Sequence, residues 1–209
     1  MTVEVNKITW DKGRPTNLTQ LFEFYHEYVK LLYASVQTRN EIPVEMLFEF
    51  NAALDHLSRQ WFYSEKEQEV VAKAYSHFKR ACLDAFKIKF KEIADQYKEL
   101  CSIDTSVIDN GDFDRKLHSF FNEIRKKATK ARQMEGQPDK NGAVPAFEVW
   151  ENVYADCVKF HQEFFLHEKL NWARRRGFWL AISHKSIEFF LGLLAGTISS
   201  LLVWWFTTR

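Results

Sequence analysis

Histidines close to carboxylates are the first residues to consider for chemistry, because imidazole and carboxylate groups bind metals and move protons. The stretch HEKLN, which starts at His167, is similar to the HExxH zinc motif, but Asn171 replaces its second histidine. His161, Glu163 and His167 are also near one another, yet seven histidines on long helices produce such pairs easily. The sequence has no glycine-rich phosphate loop, no GxSxG motif and no Cys–His pair at catalytic spacing. We therefore predict no metal, no other cofactor and no enzyme activity.

A second stretch, EFNAALDHLSR from Glu49 to Arg59, has a histidine between an asparagine and an arginine. It resembles a helix of HEPN-type domains, which are compact helical bundles of prokaryotic toxin and antiviral systems. The resemblance implies such a domain over about residues 16–170. RNases of this type place an arginine four to six positions before the histidine, so that both face a phosphate. His56 matches the histidine and Asn51 the polar neighbour, but Phe50 occupies the arginine position.

The missing arginine reverses what the resemblance implies about activity. Without a cation to stabilise a phosphate in the transition state, a degenerate domain that does not cleave RNA is expected. Asn51, His56 and Arg59 would then form part of a site that senses RNA or a nucleotide. The alternative is that His56 is a partly buried histidine near Asp55 and Arg59 on a packed helix.

A basic run, IRKKATKAR from Ile124 to Arg132, contains five cations and no acid. Its cations are Arg125, Lys126, Lys127, Lys130 and Arg132. One interpretation is the solvated C-terminal end of a helix, where the helix dipole favours positive charge. The other is contact with lipid headgroups or with RNA phosphates, and the run is too short to separate the two.

The C-terminal part of the chain contains a long apolar run. Residues 189–206 include no ionisable side chain, and a helix of this length spans ~27 Å, close to the hydrocarbon thickness of a bilayer. A buried core helix would normally show a polar stripe, whereas only Thr197, Ser199 and Ser200 interrupt this run. We therefore predict a single C-terminal membrane span in a tail-anchored protein.

Basic and aromatic residues flank this run and predict its orientation. Those expected to contact the membrane interface are Trp172, Arg174, Arg175, Arg176, Trp179 and Lys185 before the run, and Trp204 and Trp205 at its far end. Basic residues are retained on the cytoplasmic side, and tryptophan favours the headgroup level. The bulk of the chain is therefore expected in the cytoplasm.

Within the run, Gly192 and Gly196 form a GxxxG spacing, which allows two helix backbones to approach closely. Ala195 and Ser199 extend this small surface, while Thr197 and Ser200 add hydroxyls elsewhere on the helix. A simple anchor needs none of these features. We therefore predict that Gly192, Gly196 and Ser199 mediate homo-oligomerisation.

These residues are predicted to lie on helices. Asn17 is predicted to cap the first, the second begins near Pro43, and a capping box at Ser64–Glu67 opens a third that extends to about Cys101. A turn at 110–112 precedes a fourth helix over 113–134, and the loop GQPDKNGAVP separates it from a fifth. The predicted organisation is an all-α bundle with four parts: an N-terminal extension (1–15), the cytoplasmic bundle (16–171), a basic and aromatic membrane-proximal segment (172–188) and the span (189–206).

Composition excludes several classes of protein. The net charge of +1 indicates no general attraction to nucleic acid, and three widely spaced cysteines suggest neither a zinc site nor a disulfide framework.

Three functions remain. The first is a membrane effector that oligomerises and permeabilises the membrane, in antiviral defence. The second is an HEPN-like RNA or nucleotide sensor, and the third is a membrane-anchored scaffold for a defence-system protein or another partner, which predicts a large exposed apolar patch on the bundle.

Overall fold

Helices form nearly all of the protein in the computed structural model, which describes residues 8, 10–37, 42–135 and 145–208. The α-helices are α1 (Leu18–Phe24), α2 (Lys30–Val36), α3 (Val44–Tyr63), α4 (Glu67–Cys101), α5 (Asp112–Glu135), α6 (Pro145–Phe160) and α7 (Lys169–Thr207). No strand occurs in these ranges, and the predicted all-α bundle with a C-terminal apolar helix is confirmed.

The first helical segment is α1 and α2 joined by one turn of π-helix, Tyr25–Val29. The Asn17 side chain accepts a hydrogen bond from the Gln20 backbone N–H at 2.9 Å, so the predicted N-cap is confirmed. The segment buries an apolar stripe at helical spacing, which includes Leu21, Phe24, Tyr28 and Leu32. The hydroxyl of Tyr28 donates a hydrogen bond to Glu151 of α6 at 2.5 Å, so this first helical segment contacts a helix that is distant in sequence.

Helices α3 and α4 form an antiparallel hairpin, and α4 is the central helix of the bundle because it contacts α1, α2, α3 and α6. The capping box predicted at Ser64–Glu67 is wrong. Ser64 instead ends α3 in the left-handed conformation (φ 56°), and Lys66 precedes the first turn of α4 without a side-chain cap. Because a left-handed residue at the end of a helix reverses the chain in few residues, Ser64 makes the tight turn that the hairpin needs.

A second reversal separates α4 from α5. Asp109 and Asn110 both have positive φ values, 49° and 54°, within a 3₁₀ turn that ends at Gly111. Asn and Asp tolerate this region better than other residues with side chains. The turn predicted at 110–112 is thus present, and α5 starts directly after it.

Helix α6 packs on both α4 and α5 around Trp150, which is fully buried, and side chains of α5 reach α4 through the contacts of Tyr97 with Phe121 and of Lys87 with Glu135. The indole N–H donates to Glu135 of α5 at 2.5 Å, and the ring lies edge-on to Phe90 of α4 at 6.3 Å. The loop predicted between these helices falls on residues 136–144, outside the described residues.

Helix α7 begins against the bundle and continues without interruption into the apolar run. Leu170 and Ala173 are each 1 % exposed, so the first turns belong to the core. Lys169 and Arg174 bind Asp109 and Glu99, each at 2.6 Å. The predicted membrane-proximal segment and the predicted span are therefore parts of one helix.

Candidate functional site

Two places in the structure contain the residues that the sequence singled out. One is a histidine cluster between α3 and α4, and the other is the apolar part of α7. The histidine cluster consists of Glu49, His56 and Gln60 on α3 and His77 on α4. The imidazole rings of His56 and His77 stack with their centroids 5.1 Å apart. Nδ1 of His77 lies 2.6 Å from a carboxylate oxygen of Glu49.

Two polar atoms in this cluster have no hydrogen-bond partner, the Nδ1 atom of His56 and the Oε1 atom of Gln60, and both are buried. Burial lowers the pKa of His56 below its ordinary value, and the neighbouring His77, Arg59 and Lys73 lower it further. A lowered pKa keeps the imidazole neutral near pH 7. The surroundings of His56 therefore do not favour the positive charge that a phosphate would need from it.

The two remaining residues predicted for this site, Asn51 and Arg59, have different surroundings. Asn51 is exposed on the outer side of α3, and Arg59 binds Asp55 at 2.8 Å, one turn away on the same helix. Phe50, at the position of the expected arginine, packs against the rings of Tyr25, Tyr33 and Phe78. An arginine at this position would be placed among aromatic core residues. The predicted interpretation of His56 as a partly buried histidine agrees with this geometry.

Purified full-length protein is accordingly expected not to cleave RNA. His56→Ala should leave any activity in cells unchanged, provided that thermal melting shows the bundle to be folded. His26→Ala, which changes an exposed histidine of the same bundle, is the matched control. Metal-independent RNA cleavage that disappears in His56→Ala but not in His26→Ala would restore the nuclease hypothesis.

The basic run on α5 is divided between different faces of the helix. Lys126 and Lys127 bind Glu123 and Asp156, at 2.7 and 2.6 Å. Arg132 lies over the rings of Phe90 and Trp150, at 5.6 and 5.9 Å from their centroids. Arg125 and Lys130 are exposed, but at 100° per residue they point in directions about 140° apart. Lys126, Lys127 and Lys130 lie within about 100° of one another, whereas Arg125 and Arg132 lie on another side of the helix. The five cations therefore do not share one face, and Arg59 lies on α3.

The apolar part of α7 is long enough to cross a membrane. Ile187–Thr207 contains 21 residues with a mean hydropathy of 1.8, and none of it is buried against the bundle. A helix of 21 residues is ~32 Å long, which matches the hydrocarbon core of a bilayer. An apolar helix with no protein around it needs lipid or another protein to cover it.

One side of this helix is lined by small residues. A Cβ atom added to Gly192 or Gly196 would meet no atom within 4 Å, so nothing within the chain requires glycine at either position. The hydroxyl of Ser200, expected elsewhere on the helix, donates to the Gly196 carbonyl at 2.9 Å and so lies beside the glycines. Thr197 likewise donates to Leu194 at 2.9 Å. Each hydroxyl hydrogen is therefore satisfied before any contact with another chain. We call Gly192, Gly196, Ser199 and Ser200 the small face.

The residues predicted at the membrane interface occupy both ends of the helix. Before the apolar part, Arg176 lies over the ring of Trp172 at 5.6 Å, and Arg175 is exposed. Arg174, in contrast, binds Glu99 of the bundle. Trp204 and Trp205 lie in the last turns, 62 % and 49 % exposed. The side chains of Trp179 and Lys185 are outside the described residues.

Several contacts at these sites could not be read from the sequence. His77 and Glu49 are 28 residues apart, and Arg174 and Glu99 are 75 apart. No local spacing brings either pair together, since only the packing of α3 on α4 and of α7 on the bundle does so. Among the described residues, no group of three or more His, Cys, Asp and Glu side chains is placed to hold a metal ion.

Comparison with protein-family models, with curated proteins and with solved structures finds no match to this chain. The resemblance to HEPN-type domains therefore rests on residues 49–59 alone and stays a prediction.

Proposed function

We propose that this protein is a membrane-anchored effector whose copies associate through their spans and permeabilise the membrane. The observation that carries the proposal is the small face of Ile187–Thr207. Two glycines lie there with open space around them, on a mostly apolar segment that is wholly exposed. In lipid, helices associate by close packing of small residues rather than by the hydrophobic effect. The small face supplies the surface for such packing.

The hydroxyls of Thr197 and Ser200 support permeabilisation rather than anchoring alone. Each already donates to its own helix, so the oxygen still has lone pairs that accept hydrogen bonds. In an oligomer, such oxygens beside the glycines would line a narrow polar path, while leucine and valine side chains face lipid. The resemblance of residues 49–59 to HEPN-type domains extends the proposal to antiviral defence.

Expression of the full chain in bacteria tests this proposal through uptake of a membrane-impermeant dye. Leu194→Arg combined with Leu201→Arg should remove both membrane insertion and dye uptake, because each arginine near the centre of a span costs about 3 kcal/mol of insertion free energy. Leu194→Ile with Leu201→Ile is the matched control and should behave like the parent. Cells that express the parent chain and exclude the dye as well as those with the arginine variant would contradict permeabilisation.

The proposal places residues 16–171 in the cytoplasm, with Arg174–Arg176 on the same side of the membrane. Protease added to intact cells should leave the bundle uncut, whereas the same protease added after lysis should cleave it. Cleavage in cells whose cytoplasmic marker protein remains intact would contradict this orientation.

A second candidate function, a membrane-anchored scaffold, is favoured by an apolar patch on α3. Phe48, Trp61 and Phe62 are 71, 66 and 79 % exposed, far more than aromatic residues of a bundle normally are. A scaffold would use this patch to bind a different protein and would leave dye uptake unchanged.

A further inference from the structure

The apolar patch on α3 has the spacing of an interface between helices. Its large side chains lie on the side of α3 that faces away from α4 and are 41 to 79 % exposed; they are Val44, Leu47, Phe48, Leu54, Trp61 and Phe62. We call this set, together with Asn51 and Ser58 between its members, the α3 outer face. Positions 44, 51 and 58 are seven residues apart, and so are positions 47, 54 and 61. This alternation of three and four residues is the heptad spacing of helices that pair along their length.

We propose that the α3 outer face binds the same face of a second copy of this chain. The inference rests on the proposed function in one respect, since two copies anchored in one membrane hold their α3 helices on the same side of the bilayer. In a parallel pair, equivalent heptad positions oppose each other. Asn51, which is exposed on α3, would then meet the same residue of the second copy.

The polar residues of the face fit this occupant. An asparagine amide both donates and accepts, so two copies of Asn51 can bond to each other, and a single such residue fixes the register of a helix pair. Asp55 and Arg59 are the charged residues on this part of α3, and they neutralise each other at 2.8 Å. Two copies therefore meet without repulsion between unpaired like charges.

The exposed area is also sufficient. At ~150–250 Å² for each aromatic side chain, the exposed parts of Phe48, Trp61 and Phe62 contribute on the order of 450 Å². The three aliphatic residues raise the total to roughly 700 Å² if all of their exposed surface is buried, which lies within the ~600–1,000 Å² that each partner contributes to a standard interface.

A membrane is a poor alternative occupant for the C-terminal end of the α3 outer face, because of where that end lies. Phe62 is beside the first turn of α4, whereas Glu99, which binds Arg174 of α7, is near its last turn. At 1.5 Å per residue these two ends of α4 are ~50 Å apart. Trp61 and Phe62 are therefore distant from the point where α7 leaves the bundle, whereas Val44, at the other end of the α3 outer face, lines the same cleft as Glu99.

Disulfide crosslinking of the full chain in its own membrane tests the proposal. Cys101 is exposed and is replaced by serine, while the buried Cys82 and Cys157 are retained. Asn51→Cys in this background should give, after mild oxidation, an adduct of twice the 24.8 kDa chain mass. Asn122→Cys, the same change at an exposed position of α5, is the matched control and should give little adduct. Adding Leu54→Asp should abolish the Asn51→Cys adduct, because it places a charge in the proposed interface. The amount of protein in the membrane and its melting temperature should not change, because Leu54 is 61 % exposed.

Three results would overturn the inference: equal adduct from Asn51→Cys and Asn122→Cys, adduct that persists with Leu54→Asp, or an adduct whose mass shows a different protein. The dye measurement keeps this outcome separate from the proposed function. Crosslinked dimer without dye uptake contradicts permeabilisation alone, whereas dye uptake without dimer contradicts the α3 interface alone.

Discussion

Replacing Gly192 and Gly196 together by leucine is expected to leave the protein in the membrane fraction but to abolish its oligomer and its dye uptake. Leucine keeps the span apolar, so insertion persists. The new side chains enter the open space beside each glycine, so the monomer does not resist them. They hold neighbouring backbones apart and remove the close packing that drives association in lipid. The measurement combines membrane fractionation, size analysis in detergent and dye uptake.

Leu193→Ile with Leu202→Ile is the control for this variant, because it changes two residues of the same span while conserving volume and polarity. It should match the parent in all three measurements. If the glycine double variant instead assembles and permeabilises cells like the parent, the span is a tether. The scaffold function would then be the better proposal.

Trp150→Ala is expected to destabilise the bundle by about 3–5 kcal/mol, the usual cost of truncating a fully buried large aromatic residue. Trp150 is 0 % exposed and joins three helices through Glu135, Phe90 and Arg132. Its loss opens a cavity and removes the hydrogen-bond donor to Glu135, which also binds Lys87 at 3.1 Å. For a chain of this size the thermal midpoint in detergent should fall by roughly 10 °C.

Trp172→Ala is the matched control, because Trp172 is 51 % exposed on α7. Surface substitutions of this kind usually change stability by at most about 0.5 kcal/mol. A Trp150→Ala midpoint within error of the Trp172→Ala midpoint would contradict the packing of α4, α5 and α6 described above.

Helical periodicity predicted most of the fold, since long apolar stripes at 3.6-residue spacing have few alternatives in a chain with four prolines and seven glycines. The Asn17 cap and the turn at 110–112 were correct because each depends on local chemistry. The capping box at Ser64 was wrong for a physical reason. Serine suits both a helix start and a short reversal, and the antiparallel packing of α3 on α4 requires the reversal.

The candidate sites were less predictable than the helices. The apolar run of α7 is a property of composition and is visible in the sequence, as is the spacing of Gly192 and Gly196. The partners of His56 are not visible in the sequence, because His77 approaches it across the interface between α3 and α4. The α3 outer face was missed for a related reason. Leu47, Leu54 and Trp61 are apolar, and only the packed bundle shows that they lie outside its core.

The continuity of α7 has a mechanical consequence. Its first turns are clamped by Leu170, Ala173 and two ion pairs, and the same hydrogen-bonded rod extends to Thr207. Rotation of the bundle about the axis of α7 would therefore also rotate the span, because no break separates the two parts of the helix. The angular phase of the small face is set by the number of residues between the clamp and Gly192, and each inserted residue would turn it by about 100°. If copies associate as proposed, a rotation of the bundle would therefore turn the glycines of the span by the same angle.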